Sequence, residues 1–293
     1  MVDKPAGWTS HQVVSRCRRL LGTRKVGHAG TLDPMATGVL LVGVNRATRL
    51  LGHLMLTRKA YDATIRLGVG TLTDDAEGEP TSRPGAAGLT DDAVAAALAP
   101  LRGLIQQVPT AVSAIKVGGV RSYAKVRAGE DVQLAARPVT VHRLDVLARR
   151  DLVVDDVACV DLDVVVECSS GTYVRALARD LGAALGSAGH LTALRRTAVG
   201  PFDLAEAVPL GEAVPPGEEG AALPLIGLTA LVRRTFPTLV VTAAEEASVR
   251  VGRPLPERHL TAGPVALISG EDEFLALYRP GSDGAVAEAV FCA

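Results

Sequence analysis

Apolar positions along this chain follow two rhythms. Val13, Val14, Cys17, Leu20 and Leu21 recur at helical spacing after Thr9 and Ser10, either of which can cap a helix, and Gly22 closes the run. Arg16, Arg18 and Arg19 fall on the other face, so the pattern predicts an amphipathic helix with a basic outer side. Val39 to Val44 reads as a buried strand, and Arg46 to Leu56 as a second helix. Lys59 to Gly68 alternates like a strand, with Tyr61 near its beginning. Thr71 to Gly78 is an acidic turn and Pro80 to Gly88 a loop. Thr90 then caps a helix to about Leu98, with Asp91 and Asp92 well placed in its first turn. Pro138 to Leu147 and Val157 to Cys168 read as paired strands. Ser169-Ser170-Gly171 turns the chain into a helix with Tyr173 and Arg175 near its start. Residues 208–227, rich in Pro, Gly, Glu and Ala, read as a connector. Beyond Thr238 the pattern predicts a helix near Glu245 to Arg250, a turn at Gly252 to Leu255, and strands at Val265–Ile268, Phe274–Tyr278 and Ala285–Phe291. That is a small β-rich unit near the lower size limit for a core of its own.

Both rhythms stop between Gly27 and Gly38, where one acid, Asp33, sits among Gly27, Gly30, Gly38 and Pro34. A helix would not tolerate that spacing of Gly and Pro, and a central strand would reject Pro34. The stretch reads as a shaped loop presenting one carboxylate. An acid in an ordinary Asx turn fits the residues as well.

Charge changes the picture. The whole chain carries a net charge of −1, which says nothing about partners, yet residues 1–60 hold ten Lys or Arg against only Asp3 and Asp33. A basic segment around a lone acid favours the ionised carboxylate and points to a phosphate-bearing partner. Arg121, Tyr123, Lys125 and Arg127 form a second basic cluster, readable equally as a solvated helix face. Cys17, Cys159, Cys168 and Cys292 are scattered, form no Cys-x-x-Cys pair, and read as reduced thiols of a cytosolic protein. No apolar run approaches the roughly 20 residues of a membrane span, and the start has no signal-peptide character. Asp74, Asp75 and Glu77 fall short of an EF-hand loop, and no metal is expected.

Several motifs in order carry a resemblance. Asp3-Lys4-Pro5-Ala6-Gly7-Trp8-Thr9-Ser10 resembles the opening motif of the TruB-type tRNA pseudouridine synthases, and Gly27 to Gly38 their catalytic loop. The Lys59–Gly68 strand, the Thr71–Gly78 turn, Ser169–Arg175 and His190–Arg196 also resemble that family, so the likeness spans about residues 3–205. It implies an α+β fold: a mixed catalytic domain around a central antiparallel sheet over residues 1–225, and a small PUA-like RNA-binding domain over residues 236–293. It implies isomerisation of the uridine at position 55 of the tRNA T-loop to pseudouridine, without a cofactor. It further implies a cytoplasmic monomer whose partner is the tRNA T-stem-loop, with no membrane and no obligate protein partner. Asp33 takes the place of the catalytic aspartate, Tyr61 that of the active-site tyrosine, and Arg175 that of the arginine paired with the aspartate. Tyr173 and Leu194 match pocket residues, and His28 a residue beside the flipped nucleotide. Lys4 and Lys116 match RNA-side or pocket contacts.

The likeness has departures. Only Met1 and Val2 precede the opening motif, where relatives carry an apolar strand, so that strand is shortened or begins upstream. Val112 stands where an aromatic is common. Competing functions are the same fold inside a guide-RNA particle, as in dyskerin-like relatives; an RNA chaperone without catalysis; and a metal hydrolase using Asp74, Asp75 and Glu77.

Overall fold

The computed structural model describes residues 1–55, 57–112, 116–117, 120–121, 134–210 and 223–292, with nothing said of the side chains at 116, 117, 120 and 121. In chain order the strands are β1 (Val2–Lys4), β2 (Val26–Ala29), β3 (Thr37–Val44), β4 (Lys59–Leu67), β5 (Gly70–Thr71), β6 (Pro80–Ser82), β7 (Gly103–Gln107), β8 (Lys116–Val117) and β9 (Val120–Arg121). They continue as β10 (Arg137–Val154), β11 (Val157–Cys168), β12 (Gly189–Val199), β13 (Phe202–Asp203), β14 (Val208–Pro209), β15 (Thr238–Val240), β16 (Val265–Ile268), β17 (Phe274–Gly281) and β18 (Gly284–Val290). The helices are α1 (Ser10–Leu20), α2 (Leu51–Leu54), α3 (Asp91–Leu98), α4 (Val174–Ala184), α5 (Leu228–Thr235) and α6 (Ala243–Arg250).

The main sheet runs in the order β14-β1-β3-β12-β4-β11-β10-β7, with β2 paired to β3 and β13 to β12. The expected sheet was antiparallel, and most pairs are. Two are parallel, β14 with β1 and β12 with β3. At the second, the strands approach so closely that a Cβ on Gly38 would lie 2.2 Å from the Arg196 carbonyl oxygen. Alternation along β4 buries Lys59, Tyr61, Ala63, Ile65 and Leu67, the last four in one core with Leu177 and Leu181 of α4. Helix α1 forms for the expected reason. The Thr9 hydroxyl accepts from the Gln12 amide while Gln12 Oε1 accepts from the Thr9 amide at 2.7 Å. Such a capping box is worth about 1 kcal/mol.

Three expected elements differ. Gly27 to Ala29, expected as loop, belong to strand β2, whose Val26 to Ala29 pair with Leu41 to Val44. Gly27 and its partner Gly43 stay small because Leu51 lies over both, 3.0 and 2.9 Å from where their Cβ atoms would be. The predicted second helix is a 3₁₀ turn (Asn45–Arg49) followed by α2. There Leu50 enters a cluster with Phe274 and Phe291, while the adjacent Leu51 enters another with Leu41 and Phe202. Pro80 to Ser82, expected as loop, forms β6 against β5. The connector gives way to α5 at Leu228, and β15–β18 make a second, four-stranded sheet.

Candidate active site

The Asp33 loop, residues 30–36, is fixed from both sides. Gly30, at φ +78°, takes the chain out of β2 in a conformation that side chains rarely adopt. The Ser10 hydroxyl donates to the Leu32 carbonyl at 3.1 Å and accepts from the Leu32 amide at 3.0 Å. On the other flank the Pro34 carbonyl accepts from the Gly7 amide and from Lys4 Nζ, at 2.8 and 3.0 Å. Arg196, buried, donates to the Gly30 and Val39 carbonyls. The opening motif therefore works as a brace for the loop.

This corrects one expectation. Lys4 is 0% exposed, and its ammonium is spent on the carbonyls of Pro5, Trp8 and Pro34. Its three N–H donors are thus taken, which leaves none for an RNA phosphate in this structure. Burial lowers its pKa to about 8.

Arg175 leaves the first turn of α4 and places Nε 3.0 Å from Asp33 Oδ2. The same guanidinium meets Asp75 Oδ2 at 3.3 Å and donates to the carbonyls of Thr73 and Val112. A planar fork with five N–H groups suits four such acceptors. Arg175 is buried, whereas about a third of the Asp33 side chain (36%) remains open to solvent. Burial pushes the Asp33 carboxyl up from its ordinary range and the charge on Asp75 adds to this, with Arg175 and Lys4 opposing.

Asp33, Tyr61, Tyr173, Arg175 and Leu194 line one cavity of about 470 Å³, together with Lys59 and Arg196. Five of the eight expected residues thus converge. Tyr61 is buried on β4, and burial raises its phenol pKa, so the hydroxyl stays protonated. His28 does not line this cavity. It lies on β2, edge-on to His11 with ring centroids 5.6 Å apart, and its Nδ1 is buried without a partner among the described residues. The side chain of Lys116 lies outside the described residues, as do Tyr123, Lys125 and Arg127 and the side chain of Arg121.

Two cavity-lining cations escaped the sequence reading, although strand parity signalled both. Lys59 shares the buried face of β4 with Tyr61, and Arg196 lies two residues from Leu194 on β12. The basic N-terminal segment is also less uniform than its count suggests. Arg46 donates to the Phe291 carbonyl, Arg49 lies over the Phe291 ring, and Arg58 pairs with Glu167. Arg18, Arg19, Arg24 and Lys25 stay exposed at the end of α1 and just beyond. The acidic turn serves guanidinium groups: Asp75 meets Arg175, and Asp74 meets Arg179 at 3.2 Å. Among the described residues no three His, Cys, Asp or Glu side chains gather as metal ligands.

A cavity in which one carboxylate is held by a buried arginine beside two tyrosines and a leucine, on a mixed sheet flanked by helices, suits an enzyme of acid–base or nucleophilic chemistry. Comparison with known proteins narrows the class. The TruB family pseudouridylate synthase N-terminal domain matches residues 18–174, and the tRNA pseudouridylate synthase B C-terminal domain matches residues 175–213. Curated proteins named tRNA pseudouridine synthase B are similar over nearly the whole chain. That of Cutibacterium acnes is 58% identical over 290 residues, covering 97% of this chain and 93% of its own. That of Nocardia farcinica is 62% identical over 255 residues, covering 86% and 80%. A solved chain from an H/ACA RNP bound to a substrate RNA containing 2'-deoxyuridine superposes with a TM-score of 0.69 at 25% identity, over 100% of this chain and 84% of that one. The chain belongs to the TruB family of pseudouridylate synthases, and it is therefore an isomerase.

Proposed function

We propose that this enzyme converts a uridine of tRNA, at position 55 in the T-loop, to pseudouridine, with Asp33 acting on a uridine flipped into the cavity. The observation that carries the reading is Asp33 held by Arg175 in a cavity that Tyr61 and Leu194 also line. The relatives' names support tRNA as substrate.

The chemistry needs few parts. The N1–C1′ bond breaks, the base turns, a C5–C1′ bond forms, C5 loses a proton and N1 gains one. Product and substrate contain the same atoms, so no cofactor enters the balance. Flipping the base costs roughly a few kcal/mol of stacking and pairing. The apolar wall and phosphate contacts by Arg18, Arg19, Arg24 and Lys25 offset it. Asp33 in its ionised form is the nucleophile, attacking either the base or C1′ of the ribose. Arg175 keeps it ionised and aimed. The Tyr61 ring stacks on the base. Its protonated hydroxyl donates a hydrogen bond, and it takes up the C5 proton only if it first gives up its own.

On this reading the chain works alone in the cytoplasm. The test is tritium release from a T-stem-loop labelled at uridine C5, by purified chain alone. Release by wild type, none by Asp33→Ala and none from a stem-loop with cytidine at position 55 is the expected pattern. Intact binding without release by wild type would sink the reading and favour an RNA chaperone.

A further inference from the structure

The helix that carries Tyr173 and Arg175 begins without a cap of its own. Tyr173 is the N-cap residue of α4 and makes no side-chain capping bond, as expected of an aromatic at a position that favours Ser, Thr, Asp or Asn. Its backbone is held from outside. Gln107, the last residue of β7 and 1% exposed, accepts from the Tyr173 amide at 2.8 Å and donates through Nε2 to the Tyr173 carbonyl at 3.0 Å. Reversing the carboxamide would set oxygen against oxygen and N–H against N–H, so this geometry admits one orientation. In the sheet Gln107 is in register with Arg137 of β10, which anchors it to the main sheet.

The next five residues extend the same contact. The Val108 carbonyl accepts from Arg179 at 2.7 Å, Thr110 donates to Asp74 at 2.9 Å, and the Val112 carbonyl accepts from Arg175 at 3.1 Å. Residues 107–112 thus strap the first turns of α4 to the edge of the sheet, and Gln107 sets the register. We propose that Gln107 is a positioning residue for the isomerisation. By fixing the Tyr173 backbone, it sets the Tyr173 ring against the base and the Arg175 guanidinium against Asp33. This rests on the cavity being the uridine site.

Two variants test it in single-turnover conversion of the T-stem-loop, with binding measured separately. Gln107→Met keeps the length of the side chain and loses both hydrogen bonds. The rate is expected to fall about ten- to a hundredfold, the loss typical of a small misplacement of reacting groups, with Kd changed less than about threefold. Gln107→Glu adds a signature that a merely structural role would lack. As a neutral acid it reproduces both bonds, whereas as a carboxylate it keeps only the acceptor and opposes the Tyr173 carbonyl. Its rate relative to wild type should therefore fall about tenfold between about pH 6 and pH 8. Asp33, Asp74, Asp75, Arg175 and Arg179 are common to both proteins, so the ratio isolates residue 107. A Met variant within about twofold of wild type, or a ratio flat with pH, overturns the proposal. If the Met variant fails to fold, the ratio decides. No conversion by wild type would overturn the uridine reading, and this role with it. Conversion by wild type with both variants unaffected would overturn this role alone.

Discussion

The two ends of the molecule use charge in opposite ways. Residues 1–60 carry ten Lys or Arg and two acids, while residues 236–293 carry four Arg and eight acids. Near the N-terminus, Lys4 and Lys59 are buried against backbone carbonyls, and four cations at the end of α1 face solvent. In the C-terminal unit two of the four arginines meet that unit's own acids, Arg250 with Glu246 and Glu273, and Arg258 with Glu245. The unit is also tied to the first region. Leu50 is buried beside Phe274 and Phe291, and Arg46 and Arg49 both engage Phe291. The β-rich unit thus packs on the first region as a brace. Its charge balance suits that task better than collecting phosphates.

Substitutions in the two regions should separate chemistry from folding. Asp33→Asn should lower single-turnover conversion by about four orders of magnitude, leaving the denaturation midpoint near wild type, since Asp33 is partly exposed. A surviving rate within about tenfold of wild type would show that another group does the chemistry. Phe291→Ala should do the reverse. Removing a 1% exposed ring packed 4.9 Å from Phe274 should cost about 3–5 kcal/mol in chemical denaturation. The folded fraction should still convert at nearly the wild-type rate.

Arg175→Lys comes next, with an expected loss of about a hundredfold in rate, because an ammonium cannot serve four acceptors in a plane. The pH profile should move as well. On the proposed reading Asp33 acts as a carboxylate, and burial already raises its pKa. Weakening the Arg175 contact raises it further. As pH falls, protonation then begins at a higher pH, so the acid limb of the rate profile should shift upward. A limb that stays put would mean that Arg175 does not set the ionisation of Asp33.

How much of this was legible in the sequence depended on whether the signal was local. The α1 cap, the β4 alternation and the strands of the C-terminal unit follow from neighbours in the chain, and they stand where the pattern put them. Asp33, Tyr61 and Arg175 were legible through motif order, and they meet in one cavity. Lys4 was misjudged because nothing local shows that the Pro34 carbonyl, thirty residues away, takes its ammonium. Gly27 looked like a turn glycine because Leu51, which requires its smallness, comes from another element. Gln107 gave no signal at all, since its role exists only once β7 lies beside the start of α4.

The smallest expected effects decide the comparison itself. Changing Arg19, Arg24 and Lys25 together to Glu should weaken tRNA binding and flatten its salt dependence. Each lost phosphate contact should remove about one unit from the slope of log K against log salt. Arg253→Glu with Arg279→Glu should leave the affinity within about twofold and the slope unchanged, because the unit around them is already acidic. Filter binding across a range of salt concentrations measures both. If the C-terminal pair lowers the slope as much as the α1 cluster does, RNA reaches across that unit despite its charge. The brace would then be only half of its task. If neither set moves the slope, the phosphates are held elsewhere, and the cavity with its Asp33–Arg175 pair would be fed from a surface other than the end of α1.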